Sequence, residues 1–389
     1  MMTYEDFEVR ISADGGCFEV EAQRGDQSAT EHFELDPVRA WDLWSAGECD
    51  PPTARVLGAT LFHALMQGSI RSLYDQAQGG ASGDPKRGVR IRIRIDPRQT
   101  RLRPFLRLPW EILFDPLKGA GNHPGLDPRT PIVRTLDSAA ETLFPLPDLP
   151  LRVLIALADP RNPITLDLEG ERERIESALA PLEIRPEVLR QVTRSAFEQI
   201  IRDGGFHVVH FLGHGDWVDS KGEGVLILEK ERRAPDPLPA SIFAGFFVGR
   251  PMPRLVVLSA CSSGDLGGST GIGSYPGTAA ALAAEGLPAV LAMQTAVRDR
   301  SAVCFSERLY SRLAAGDAIE EAVAEARKAL KTQWPETLDW AVPALFVRGL
   351  AEGAHAHKGE RSVPEVPSRG SIELTEFGLM FDDRHVGST

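Results

Sequence analysis

From residue 151 onward, short continuous apolar runs alternate with amphipathic stretches of helical period. The two most informative runs are 206–215, Phe-His-Val-Val-His-Phe-Leu-Gly-His-Gly, and 255–264, Leu-Val-Val-Leu-Ser-Ala-Cys-Ser-Ser-Gly. Both are too short and too rich in β-branched residues for helices, and each stops at glycine, so both are expected as buried strands of a parallel sheet. Further strands are expected over 151–157, 289–293 and 340–347, and helices over 168–182, 193–203, 278–284, 301–315 and 318–330. Such regular alternation implies an α/β fold whose parallel sheet is covered on both faces.

The first third has a different texture. Residues 6–21 read as two strands around the turn Asp14-Gly-Gly, with a third closing at 33–35. Apolar residues Val56, Leu57, Leu61, Leu65, Ile70 and Leu73 recur at helical spacing, predicting one helix over 53–78 that ends at Gly79 and Gly80. The segment 89–96 alternates strictly between arginine and apolar residues, as a strand with one wet, basic face. Trp110, in Leu-Pro-Trp-Glu-Ile-Leu-Phe at 108–114, is expected in the core. A proline-rich stretch at 144–150 reads as a linker, as does the polar sequence beginning at Ala351. Beyond that second linker, 371–381 regains Ile372, Leu374, Phe377, Leu379, Met380 and Phe381, which reads as a docking peptide or an added strand. The divisions expected are therefore 1–145, 146–350 and 351–389, with no repeat of solenoid period.

Charge and cysteine content narrow the function. A net charge of -12, with no polybasic run, argues against direct nucleic-acid binding. No segment is apolar over a membrane-spanning length, and the opening residues lack the basic and apolar regions of a signal peptide, so a cytoplasmic protein without membrane partners is expected. The four cysteines, Cys17, Cys49, Cys261 and Cys304, are scattered, with no C-x-x-C pair, and are read as reduced thiols. Cys17, in a strand, and Cys304, in a helical pattern, are expected to be buried and structural.

The chemistry lies where the two central runs end. An imidazole, His214, and a thiol, Cys261, arrive at strand ends, and in open α/β sheets function gathers outside the carboxyl ends of strands. A thiol attacks a carbonyl as its thiolate, and His214 is the candidate base that forms the thiolate and later returns the proton to a leaving amine. Gly215 lets a substrate backbone approach, and its N–H together with that of Cys261 forms a candidate oxyanion hole. The two residues are 47 apart, close to the roughly 50-residue interval between histidine and cysteine in caspases.

Several motifs in order resemble the CHAT-domain family. These are 209–215 and 258–264, Leu-Pro-Ala-Val-Leu-Ala-Met-Gln at 287–294, Ala-Ile-Glu-Glu-Ala-Val-Ala-Glu-Ala-Arg at 318–327, and Trp-Ala-Val-Pro-Ala-Leu-Phe at 340–346. Pro-Trp-Glu at 109–111 and Pro-Ile-Val-Arg at 131–134 extend the resemblance over residues 1–350, leaving the tail outside it. The family comprises caspase- and separase-like cysteine peptidases of clan CD. The resemblance implies a caspase-like, mostly parallel sheet flanked by helices over 146–350, preceded by an amino-terminal α+β CHAT-associated domain over 1–145. By carry-over, His214 and Cys261 match the catalytic pair and Gly215 the oxyanion glycine. In caspase-like enzymes the residue two before the cysteine helps line the pocket for the residue preceding the scissile bond. That residue is Ser259 here, so an acid selecting a basic residue would have to come from Asp216, Asp265 or elsewhere. The resemblance further implies a protein substrate, such as a gasdermin-like defence effector, and an upstream sensor, in bacterial defence or regulated cell death.

Other readings compete. His210 and His214 have H-x-x-x-H spacing, but on a strand they lie about 13 Å apart and cannot share a metal. No metal or cofactor is therefore expected. His207 and His210 are expected as buried, satisfied or supporting side chains. The glycine-rich loop 264–273 lacks the Gly-Lys-Ser/Thr ending of a phosphate-binding loop and is read as a mobile loop beside the cysteine. Against a cysteine endopeptidase stand a catalytically silent interaction module that kept the fold, and a hydrolase or acyltransferase acting on small molecules. His214, Gly215 and Cys261 together favour the endopeptidase.

Overall fold

The computed structural model describes residues 2–348 apart from 16, 46–48, 119–121, 137–150, 162–167, 219–222, 249, 251, 260–274 and 296. The side chains of residues 14, 216–218, 223, 275, 276 and 299 are likewise outside the description. The expected linker at 144–150, the loop 264–273 and the tail 371–381 all lie outside the described residues.

The amino-terminal part begins with a meander of β1 (Thr3–Asp14), β2 (Cys17–Arg24) and β3 (Gln27–Phe33). Helices α1 (Pro37–Ser45), α2 (Pro51–Leu65) and α3 (Gly68–Ala81) follow, then β4 (Arg87–Ile95) and β5 (Ile132–Leu136). The single helix expected over 53–78 is thus two. Asp50 caps α2 by accepting from the Thr53 N–H at 2.8 Å. The break comes at Gly68, whose φ of +51° favours glycine and whose Cβ would sit 2.2 Å from Glu31 Oε1. Glu31, reaching over from β3, accepts from the Ser69 backbone N–H and hydroxyl at 2.8 Å each, so α3 starts on a carboxylate that helical periodicity cannot reveal.

The strand β4 corrects the expectation of a wet basic face. Arg90 and Arg92 are each only 8 % exposed. Parallel pairing with β1 sets Asp6 beside Arg90 and Glu8 beside Arg92, and the arginines bond these carboxylates, Arg90–Asp6 at 2.6 Å and Arg92–Asp6 at 3.2 Å. Arg90 also reaches Glu320 at 2.7 Å. The acids that neutralise the stripe come from distant parts of the chain, so composition alone mistakes a buried ion-pair ladder for a solvated face.

The second part alternates as expected: β6 (Val153–Leu157), α4 (Leu168–Leu179), β7 (Glu187–Arg190), α5 (Arg194–Gly204), β8 (Val208–Leu212). A hairpin excursion follows, β9 (His214–Val218), β10 (Glu223–Glu229) and β11 (Pro235–Pro239), with the short helix α6 (Ala240–Gly245). The alternation resumes with β12 (Leu255–Ser259), α7 (Tyr275–Ala284), β13 (Ala289–Met293), α8 (Asp299–Ala314), α9 (Ile319–Gln333) and β14 (Pro343–Val347).

The strands form one eleven-stranded sheet, in the order β3-β2-β1-β4-β5-β14-β13-β12-β8-β6-β7, and a separate three-stranded sheet, β11-β10-β9. The five strands from β13 to β7 are mutually parallel, whereas β14 runs antiparallel to β13 and parallel to β5. Strands from 1–145 and from 146–350 therefore belong to a single sheet. The five-residue strands β6, β8, β12 and β13 are buried along their whole length, which accounts for sequences that are apolar apart from His210 in β8 and Ser259 in β12. Trp110 is in the core with no exposed surface, its indole N–H donating to the Phe105 carbonyl at 3.0 Å. Among the described residues no helix is long and apolar enough to cross a membrane.

Candidate active site

The strands that lead to His214 and Cys261 are neighbours. β8 and β12 pair in parallel, with Val208 opposite Leu255 and Leu212 opposite Ser259 at the ends. At Gly213 the chain leaves the large sheet, and its N–H donates to the Ser259 carbonyl at 3.2 Å. A Cβ at this position would come within 2.9 Å of the Ala158 carbonyl oxygen and 3.0 Å of the Phe211 ring, so only glycine permits this close exit. His214 is thus the first residue of β9, just past the carboxyl end of β8, rather than the continuation of one long strand. It faces Ile227 across the hairpin, and Gly215, which is buried, faces Leu226. Helix α7 packs on this hairpin closely enough that a Cβ on Gly224 would lie 2.4 Å from the Thr278 Cα.

His214 is half-buried. Burial pushes its pKa below the ordinary value, and the negative charge of Asp159 opposes that shift. The imidazole is therefore biased toward its neutral form, the form that can accept a proton. Asp159 itself lies just past the carboxyl end of β6, the neighbour of β8 on the other side. Its backbone N–H donates to Glu229 at 2.9 Å, and its carboxylate and carbonyl oxygens receive the guanidinium of Arg233. Arg233 and the preceding Arg232 both adopt positive φ, 59° and 58°, so the turn that delivers this guanidinium is strained. The sequence alone did not single out Asp159, although its position two residues past a buried strand was the available signal.

Ser259, expected beside the substrate pocket, is 3 % exposed, and its hydroxyl lies 3.1 Å from His210 Nε2. Asp216 follows Gly215 in β9, opposite Val225, with its side chain outside the description. Cys261 and Asp265 lie outside the described residues; by sequence Cys261 comes two residues after the end of β12. Neither Cys17 nor Cys304, both expected to be buried, is fully so. Cys17 is exposed on β2, while Cys49 and Cys304 are partly buried and burial raises both of their pKa values. Cys17 faces water because β2 alternates and its apolar positions, Val20 and Ala22, already face inward. Among the described residues no group of three potential ligands can hold a metal ion.

This arrangement of strand ends occurs in a chain whose residues 55–348 match the CHAT domain family model. The chain belongs to the CHAT domain family. Comparison with curated proteins finds no match. Among solved structures the chain is similar to separase in a Saccharomyces cerevisiae separase–securin complex, at 12 % identity and a TM-score of 0.45, over 89 % of this chain and 30 % of that chain. It is also similar to gingipain R, an Arg-specific cysteine proteinase, at 12 % identity and a TM-score of 0.40, over 80 % of this chain and 74 % of that one. A third similarity is to the Drosophila initiator caspase Dronc, at 12 % identity and a TM-score of 0.31, over 50 % and 78 %. The chain spans under a third of the length of the separase chain it matches.

Proposed function

We propose that this protein is a cysteine endopeptidase that cleaves protein substrates through a His214–Cys261 dyad. The observation that carries the reading is the paired ending of β8 and β12, Leu212 opposite Ser259 with the Gly213 N–H on the Ser259 carbonyl, in a CHAT-family chain. It supports the dyad because a histidine one residue past Gly213 and a cysteine two residues past Ser259 emerge from adjacent, parallel strand ends.

In the proposed reaction His214 takes the thiol proton of Cys261, and the thiolate attacks the scissile carbonyl carbon. As the C–S bond forms, the carbonyl electron pair moves onto oxygen, where the N–H groups of Gly215 and Cys261 stabilise it. Collapse of the tetrahedral intermediate breaks the C–N bond, and the leaving amine takes the proton from the His214 imidazolium. Water then attacks the thioester while His214 accepts its proton, and Cys261 departs as thiolate, leaving a carboxylic acid. Asp216 and Asp265 are proposed to line the pocket for the residue preceding the cleaved bond, and Ser259 to border it through its backbone, its hydroxyl being engaged with His210. The proposed setting is bacterial defence or regulated cell death, with an upstream sensor controlling activity against a partner such as a gasdermin-like protein.

The test is turnover by Cys261→Ala and His214→Ala on a peptide selected from a fluorogenic library by the unsubstituted chain. Each variant should fold and lose at least about a thousandfold in kcat, with the double variant little worse, because the two groups act as one unit. Undiminished turnover in either single variant refutes the dyad; a chain that cleaves no peptide and no protein substrate overturns the endopeptidase and leaves the silent interaction module and the small-molecule hydrolase or acyltransferase as the surviving readings.

A further inference from the structure

Beneath the two strand ends lies a chain of hydrogen bonds that the proposed reaction does not use. His210 Nδ1 is 2.9 Å from the Tyr310 hydroxyl, and His210 Nε2 is 3.1 Å from the Ser259 hydroxyl. The three residues are 2 %, 0 % and 3 % exposed. They come from three elements: His210 from β8, Ser259 from β12 and Tyr310 from α8.

Their neighbours along the strands, Val208, Leu212, Leu255 and Val257, are all buried and apolar. Burying three polar side chains among them costs desolvation that a further Leu or Val would avoid, so packing alone does not account for the cluster. Its geometry suggests the use. His210 is opposite Val257 in the ladder, yet its ring reaches forward to Ser259, the partner of Leu212. One residue later the Gly213 N–H bonds the Ser259 carbonyl. Ser259 is therefore held to the β8 exit by its side chain and its main chain, two residues before Cys261. A neutral imidazole has one donor and one acceptor, and a hydroxyl can serve as either partner, so the two hydroxyls fix the ring's direction in either tautomer, and Tyr310 anchors it to α8.

We propose that the Tyr310–His210–Ser259 chain is a positioning element that fixes the exits of β8 and β12, and through them the separation of His214 and Cys261. The proposal rests on the peptidase reading above. Loss of the chain lets the two exits shift against each other, which spoils proton transfer while leaving the binding of the rest of the substrate intact. Misplacement of reacting groups by about 1 Å costs on the order of a hundredfold in rate.

The experiment compares His210→Leu, His210→Gln, Ser259→Ala and Tyr310→Phe with the unsubstituted chain, all below their unfolding temperatures. Two readouts are used: kcat and KM on the library-selected peptide, and the pH dependence of Cys261 alkylation by iodoacetamide. His210→Leu should lower kcat by about ten- to a hundredfold with KM within about twofold, and move the acid limb of Cys261 alkylation to higher pH. His210→Gln, which keeps one hydrogen bond, should recover part of the loss. If His210→Leu does not fold, Ser259→Ala, which removes only a hydroxyl, carries the test with the same split and a smaller loss. Variants that melt earlier yet keep the original kcat and alkylation profile overturn the positioning role and leave the peptidase standing. An unsubstituted chain with neither turnover nor selective alkylation of Cys261 overturns the peptidase reading, and the positioning role with it.

Discussion

Replacing Glu111 by glutamine would remove a carboxylate that two buried guanidiniums share. Glu111 has no exposed surface; it accepts from Arg134 Nε at 3.1 Å and Nη2 at 2.5 Å, and from Gln294 Nε2 at 2.9 Å, while Arg327 Nη2 stands 3.6 Å away. Arg134 and Arg327 are 1 % and 0 % exposed. Burial pushes the Arg327 pKa down to about 10, with Glu111 opposing the shift and Arg134 adding to it. Glutamine keeps the shape but turns an amide N–H₂ toward groups that are themselves donors, and it leaves two cations without a counter-charge. Breaking a buried pair in this way costs about 3–5 kcal/mol. At roughly 2 °C per kcal/mol for a chain of this size, Tm should fall by about 6–10 °C. The site also predicts where the loss is felt. Glu111, Arg134 of β5, Gln294 just past β13 and Arg327 of α9 surround the β5–β14 junction, whose ladder has only two paired positions, Phe346 with Arg134 and Val347 with Thr135. Hydrogen exchange in β5 and β14 should therefore accelerate more than in β6 and β8. Urea unfolding followed by fluorescence of the buried Trp110 and Trp340 measures the total, and Glu111→Leu/Arg134→Met/Arg327→Met should regain most of it. A Glu111→Gln loss below about 1 kcal/mol, or a triple variant no better than the single one, would refute the reasoning.

Three further outcomes are expected. Iodoacetamide should label Cys261 fastest, exposed Cys17 next, and the partly buried Cys49 and Cys304 slowest, and turnover should persist in EDTA and without ATP; mass spectrometry placing Cys17 first in the active chain contradicts this order. Asp159→Asn removes the charge that holds the His214 pKa up, so the acid limb of the pH–rate profile should move to lower pH; a shift to higher pH refutes that electrostatic link. Burial holds His210 neutral, its pKa taken from 6.5 down to about 3, whereas the unfolded chain binds that proton below its ordinary pKa. The stability tied to the neutral ring is complete above pH 6.5 and is lost as pH falls toward 3, at about 1.4 kcal/mol per pH unit. His210→Gln should accordingly show a shallower acid slope in urea titrations between pH 6 and pH 4, and equal slopes would show that the ring does titrate in the fold.

The buried parallel strands were readable from their form: short, almost wholly apolar runs, broken by His210 and bounded by glycine in β8, and closing on the polar Ser259 in β12. The position of His214 was readable for the same reason, to within the one-residue exit at Gly213. The hairpin β9–β11 was not, since a strand such as β11, Pro-Asp-Pro-Leu-Pro, has turn composition and is held extended by its pairing with β10. Helix 53–78 could not be divided in advance, because the group that starts α3 is Glu31, on another element. The arginine stripe of β4 was misread for a like reason: Asp6, Glu8 and Glu320 are its partners only once β1 and α9 have packed against it. Asp159 was passed over because a single acid after a strand acquires meaning from the histidine that the neighbouring strand brings near it.

The order of strands also has a consequence in time. β14 occupies the middle of the large sheet, between β5 and β13, yet it is made after all the other described strands. About 210 residues separate it from β5, so at roughly 5–20 residues per second a ribosome needs on the order of 10–40 s to supply it. Until it arrives, both β5 and β13 present open edges, the kind of surface that captures stray strands. A nascent chain stalled before residue 343 would hold the pairs β8–β12 and β1–β4 complete and still expose two sticky rims, making it a natural client for chaperones.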